Sequence, residues 1–188
     1  WASVLYLVHF DLYALWYIED AAISFAFARN AALGEGLVAF PGGEPVEGFS
    51  NPSWTLSLAL FQFFGLTPFA SAKLLGGVCG ILTLPIATLW TRALQERPSP
   101  FAGLAPILLA VSPQFVAWNA SGLENCYFSL FLGAGALCLI YQIGRPERFP
   151  VSGLLWALLA ITRPEGLAYA LIGLGVGGSW LIHKNGIA

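Results

Sequence analysis

The sequence predicts an all-α protein, a bundle of transmembrane helices with one long outer loop that carries short juxtamembrane helices. Three observations predict it. Hydrophobic residues fill 57% of the 188 positions and charged residues 10%, where a soluble domain carries about 25% charged residues. Apolar runs close to the length of a bilayer crossing recur along the chain, and its mean hydropathy is +0.74. Residues 19–68 break that pattern and hold half of the acidic side chains.

A helix needs about 20 residues to cross the hydrocarbon. Residues 2–18 form a first candidate span, interrupted by His9 and Asp11. The two polar residues sit about 200° apart around a helix and form no dyad. Packing against helices outside this chain accounts for them. Residues 69–91 follow, with Lys73 near their start, and residues 101–118 and 125–144 are uncharged. Residues 149–162 make a short span of about 21 Å by helical rise, and residues 166–182 close the chain. Pro85, Pro106 and Pro113 fall inside spans, where membrane helices tolerate proline. The glycines of residues 173–178 read as close helix packing. Trp1–Ile18 lacks the basic start and cleavage site of a signal peptide. Without an initial Met, the chain reads as a single membrane domain from a longer protein.

The loop has its own local signals. A short helix is expected over about 20–33, ended by Gly34 and Gly36. "FPGGEPVEGFSNPSW" (40–54) opens with turn chemistry. Residues 52–66 span about 22 Å by helical rise, marginal for a crossing, and are expected to lie along the interface. With that helix on the surface, Arg92, Arg97, Arg145, Arg148 and Lys184 fall on one side, cytoplasmic by the bias of basic loops. Loop 19–51, with five acids and Arg29 as its base, faces outward. If 52–66 crosses, the acidic pair joins the basic side, and charge counting barely separates the two arrangements.

Composition excludes several functions. The net charge of −2 comes with no basic cluster of the kind that binds nucleic acid. Cys79, Cys126 and Cys138 sit in apolar runs without metal-ligand spacing and read as packing residues. No P-loop pattern occurs, and the "GLGVGG" of 173–178 lies inside an apolar helical run, where it reads as close helix packing and not as a nucleotide site. No cofactor or metal is expected.

"EDAAISFAFARNAALGEGLVAFPGGEPVEGFSNPSWTL" (19–56), "VSPQFVAWNASGLEN" (111–125) and "TRPEG" (162–166) carry a resemblance. Together they resemble, in the right order, the motifs of bacterial membrane glycosyltransferases of the GT-C fold. That family is similar to the mycobacterial terminal arabinofuranosyltransferase and its relatives. The 47–54 motif is the more specific part, and "RPEG" alone is weak. The resemblance implies transfer of a sugar from a polyprenyl-phosphate donor to a glycan or protein acceptor outside the cytoplasmic (inner) membrane. It also implies that the three motifs open on one outer face, with 52–66 at the surface. Two positions depart from the family pattern: Glu19 replaces its first acidic residue, usually Asp, and Ala26 replaces an Arg.

Such chemistry needs a carboxylate to take the acceptor's proton and donors to hold the departing phosphate. Glu19 and Asp20 are the catalytic candidates, the alternative being that they merely cap a helix beginning near Ala21. Arg29, Lys73 and Arg163 are the phosphate-binding candidates. Against these stand neutralisation of the acidic pair by Arg29, a snorkelling role for Lys73 and a plain interfacial pair of Arg163 with Glu165. Glu124 would orient the acceptor or simply favour a helix N-terminus. Glu47 and Asn51 complete the substrate-binding set through the 47–54 motif. Two functions follow from different classes: a polyprenyl-phosphate-dependent glycosyltransferase, or a non-catalytic subunit of this fold inside a larger membrane complex. The intact 47–54 motif favours the first; Glu19, Ala26 and the short chain favour the second. A transporter ranks third, since no internal repeat is visible.

Overall fold

The computed structural model describes residues 1–95, 100–143 and 150–185. Arg97, Arg145 and Arg148 lie outside the described residues, as do the side chains of Leu181, Lys184 and Asn185. Nine α-helices run in the order α1 (Ala2–Asp11), α2 (Ala21–Ala32), α3 (Pro52–Phe63), α4 (Pro68–Leu94), α5 (Leu104–Val111), α6 (Pro113–Ala120), α7 (Asn125–Ile143), α8 (Val151–Ala160) and α9 (Pro164–Asn185) among the described residues. No strand occurs among them.

Among the described residues, two helices are long and apolar enough to cross a membrane: α4 with 27 residues and α7 with 19. A third span arises if the stretch Phe101–Val111 and α6 count as one, although they meet at a 55° bend. The break falls at Ser112–Pro113. Proline has no N–H to continue the ladder, and the Ser112 hydroxyl caps α6 by accepting from the Phe115 N–H at 3.5 Å. The break leaves the Ala110 carbonyl without its next-turn donor, and His9 Nδ1 meets it at 3.1 Å. A carbonyl only accepts, so His9 carries its proton on Nδ1. His9 therefore has its partner inside this chain.

The expected span 2–18 is shorter in the structure. α1 has 10 residues, about 15 Å by helical rise, and tight turns follow from Leu12 to Leu15. Lys73 supplies the physical reason, because its ammonium takes the Tyr13 and Trp16 carbonyls that a continuing helix would have used. α8 has 10 residues, short of a crossing, and α9, helical over Pro164–Asn185, is not among the described helices that qualify as spans. Of the six expected spans, 69–91 and 125–144 are each matched by one long helix and 101–118 by a bent pair.

The helix limits expected in the loop match. α2 ends at Ala32, with Gly34 at φ 83° in the left-handed region that favours glycine. α3 begins at Pro52, as proline at a first helical position should.

Three apolar clusters organise the helices. α2 and α3 bury Ala21, Phe25, Trp54 and Leu58 against Ala72 and Cys79 of α4 and Cys126 of α7. α1, α5 and α6 pack on α4 through Tyr6, Ala110, Val116 and Leu84. α7, α8 and α9 share Trp156, Leu159 and Ala170. α4 thus touches two of the clusters, and small residues on it let its neighbours in. A Cβ on Gly80 would collide with the Tyr6 hydroxyl, and one on Gly76 with the Asn119 carbonyl. On α9, Gly173 faces the Trp156 ring, while Gly175 looks into open space.

This contrast is testable by thermal unfolding in detergent. Gly80→Leu should destabilise by at least about 1–3 kcal/mol through overpacking, or fail to give a monodisperse protein. Gly175→Leu should stay within about 0.5 kcal/mol. Equal effects at the two sites would contradict the packing described.

Candidate functional site

The site is built around the turn 121–124. Gly122 has φ 91°, and a Cβ there would lie 3.0 Å from atoms of Tyr17, Ala21 and Phe25. Only glycine suits both the conformation and the space. The buried Trp54 donates its indole N–H to the Gly122 carbonyl at 3.0 Å. The Ile18 N–H reaches the Ser121 carbonyl at 3.0 Å. These bonds lock the turn to α3 on one side and to the segment carrying the acidic pair on the other.

The turn delivers Glu124 into the interior, where it is 6% exposed. Its Oε2 accepts from Asn51 Nδ2 at 2.6 Å, and its Oε1 lies 3.4 Å from Arg163 Nε. A carboxylate accepts only, which fixes the face that the Asn51 amide turns toward it. Asn51 is itself buried. Its Oδ1 accepts from Thr55 Oγ1 at 2.9 Å and Ser24 Oγ at 3.2 Å. Arg163 donates from Nη1 to Asn125 Oδ1 at 2.9 Å and pairs with the exposed Glu165 at 3.4 Å. Beside this, the Ser53 N–H donates to the Ile161 carbonyl at 3.1 Å, and the Ser53 and Thr162 hydroxyls bond at 3.0 Å. The motifs 47–54, 111–125 and 162–166 therefore meet in one hydrogen-bonded network.

A cleft of about 710 Å³ opens over this network. Asp20, Glu124, Asn125 and Arg163 line one part, and Gln114 and Trp118 of α6 line another. Asp20 is exposed and sits at the N-cap of α2 without making a side-chain cap bond. Its carboxylate is not used up in holding the helix. The Asn125 amide N–H₂ and Arg163 Nη2 have no partner among the described residues. Asp20 and these two donors thus share a cleft in which polar side chains stand beside Ile18, Phe115 and Leu123.

Of the residues singled out in the sequence, the structure brings together Asp20, Asn51, Glu124, Arg163 and Glu165. It leaves four apart. Glu19 is exposed and does not line the cleft. Glu47 is exposed in the loop. Arg29 lies nine residues up α2 from Asp20, about 14 Å by helical rise, beside a separate cavity with Gln62 and Thr67. Lys73 has all three N–H groups engaged: Nζ donates to the carbonyls of Tyr13, Trp16 and Ala120, each at 2.6 Å. It also sits 4.2 Å from the Tyr17 ring centroid. An ammonium with three donors and three carbonyl partners has none left for a phosphate. Lys73 is corrected from a phosphate contact to a structural clamp.

Sequence reasoning missed Asn125, Ser24 and Thr55. Asn125 carried a signal, a second polar residue beside Glu124 at the mouth of an uncharged run. Ser24 and Thr55 carried none, being small polar residues inside helices. No group of three or more His, Cys, Asp or Glu side chains is arranged to hold a metal among the described residues. No protein-family model, curated protein or solved structure matches the chain.

The network makes a graded prediction for stability. Asn51→Ala strips a donor from the buried Glu124 and orphans Thr55 and Ser24, a loss of about 1–3 kcal/mol or more. Glu47→Ala, on an exposed side chain, should stay within about 0.5 kcal/mol. Thermal midpoints of the two variants in the same detergent decide it, and indistinguishable midpoints would refute the network's structural role.

Proposed function

We propose that this chain is a multi-pass glycosyltransferase of the GT-C type in the cytoplasmic (inner) membrane. It moves a sugar from a polyprenyl-phosphate donor to a glycan or protein acceptor at the outer face. One observation carries the reading: Asp20, Asn125 and Arg163 share a single polar cleft, and the three motifs that resemble the family form its base.

The reaction asks little of the protein beyond position and charge. An acceptor oxygen attacks the anomeric carbon, forming a new C–O bond. The bond from that carbon to the phosphate oxygen breaks, and the phosphate leaves with the electron pair. Asp20 takes the acceptor's proton as the attack develops. Arg163 Nη2 and the Asn125 amide receive the negative charge of the departing phosphate. Glu124 stays paired with Arg163 and fixes the guanidinium plane. Glu165 balances charge at the rim. The prenyl tail remains in lipid beside the exposed apolar helix faces.

Two residues favour a second reading, a non-catalytic subunit of a membrane complex. Glu19, at the family's first acidic position, lies outside the cleft, and Ala26 stands where the family carries Arg. Activity separates the two. With the complete chain in nanodiscs and a panel of polyprenyl-phosphate sugars, Asp20→Asn should lower transfer about 10²–10⁴-fold. Glu19→Gln should remain within about threefold. An Asp20→Asn rate within threefold of wild type removes the general base proposed here, and absence of transfer by wild type supports the subunit.

Orientation is a separate expectation. Cysteines placed at Gly42 and Glu165, in a background without the native thiols, should react with an impermeant maleimide in sealed cells. Cysteines at Arg97 and Arg148 should react only after permeabilisation, because basic loops are retained inside. The opposite pattern would place the cleft on the wrong face for a lipid-linked donor used outside.

A further inference from the structure

We propose that the exposed face of α6 is the acceptor platform of the cleft, and that the acceptor it takes is a carbohydrate; this deepens the glycosyltransferase reading and rests on it. The 55° bend at Ser112–Pro113 turns α6 out of line with the helix before it. One face of α6 is buried through Val116, Asn119 and Ala120. Gln114 and Trp118 stand one turn apart, and residues so spaced share a helix face. Both are exposed, and both line the cleft that holds Asp20 and Arg163. Neither the Gln114 amide nor the Trp118 indole N–H has a partner among the described residues.

The surroundings of Trp118 decide what it would hold. Other exposed aromatic side chains, such as Phe63 and Phe64 at the end of α3, belong to apolar surfaces suited to lipid. Trp118, 39% exposed, instead shares its cleft with Asp20, Glu124, Asn125, Ser129 and Arg163. An indole in a cleft of mixed character, where Ile18, Phe115 and Leu123 alternate with amides, hydroxyls and carboxylates, matches the two-sided chemistry of a sugar ring. The ring's C–H face covers the electron-rich indole, and its hydroxyls at the edge both donate and accept, as an amide requires. An acyl chain would leave those polar groups unpaired. The described residues offer no strand edge on which an extended peptide could add by β-augmentation. A sugar lying on Trp118, held at its edge by Gln114, would present a hydroxyl toward the Asp20 side of the cleft. Trp118 and Gln114 are thus specificity-determining residues.

The test separates acceptor binding from transfer. Saturation-transfer NMR is recorded on the complete chain in nanodiscs without any donor. The probes are methyl glycosides of mannose, glucose, galactose and arabinofuranose, and an unglycosylated Ser/Thr hexapeptide. At least one glycoside should give a ring C–H signal that Trp118→Ala and Gln114→Ala each reduce about tenfold or more. Trp118→Phe, which keeps an aromatic face, should retain at least about a third of it, and the peptide should give none. Gln114 is exposed, so its variant keeps the test sound if Trp118→Ala fails to fold. No glycoside signal, a signal unchanged in both Ala variants, or displacement of the glycoside by the peptide overturns the platform. If glycosides bind through α6 but no donor supports transfer, the carbohydrate-binding face stands, while its role as an acceptor platform falls with the glycosyltransferase reading. If Asp20→Asn abolishes transfer while Trp118→Ala leaves the acceptor KM unchanged, the platform alone falls.

Discussion

Glu124 is the constraint on which the site's architecture turns. A carboxylate removed from water is costly unless paired and hydrogen-bonded, and in this apolar chain few groups can serve. The partners come from distant segments: Asn51 ahead of α3 and Arg163 ahead of α9. Each partner is secured in turn, Asn51 by Ser24 and Thr55, and Arg163 by Asn125 and Glu165. Satisfying one buried charge therefore ties α2, α3, α7 and the α8–α9 connection together. Polar networks in a low-dielectric interior are demanding in this way, because a missing member leaves its neighbours unpaired.

Lys73 plays the complementary role on the other side of the turn. Its ammonium collects carbonyls from the end of α6 and from the turns after α1. These carbonyls belong to backbone that has left its helical ladder, and such groups must be satisfied locally when water is scarce. The lysine thus permits α1 to stop early and the chain to reach the segment that carries Asp20. His9 does the same for the Ala110 carbonyl at the bend before α6. Irregular backbone near a cavity is a recurring feature of membrane proteins, and here the end of α1 and the bend before α6 each have a side chain that compensates them.

The two walls of the cleft differ in kind. The wall formed by Glu124, Asn125 and Arg163 is held by bonds among its own members, with donors left over on Arg163 and Asn125. The α6 wall presents Gln114 and Trp118 without partners. The charged residues and the α6 face share one cleft, and that arrangement follows from the bend at Pro113 as much as from the residues.

Much was legible from local chemistry. The start of α2 after Asp20, its end before Gly34, the start of α3 at Pro52 and the long apolar helices α4 and α7 all follow from turn residues, proline placement and apolar length. So did the interest of Glu124 and Arg163, charged residues stranded beside apolar runs. What sequence could not decide was partnership. Glu19 and Asp20 are chemically equivalent neighbours, and only the packing of the 121–124 turn against Ile18 leaves Asp20 lining the cleft and Glu19 outside it. Lys73 reads as a free cation until three backbone carbonyls converge on it. Asn51 belongs to a recognisable motif, yet its bond to Glu124 spans 73 residues. Local signals act through the φ/ψ preferences and burial of single segments, whereas the site arises where segments distant in the chain must neutralise one another's buried charge. That second kind of information exists only once the tertiary structure brings them into contact.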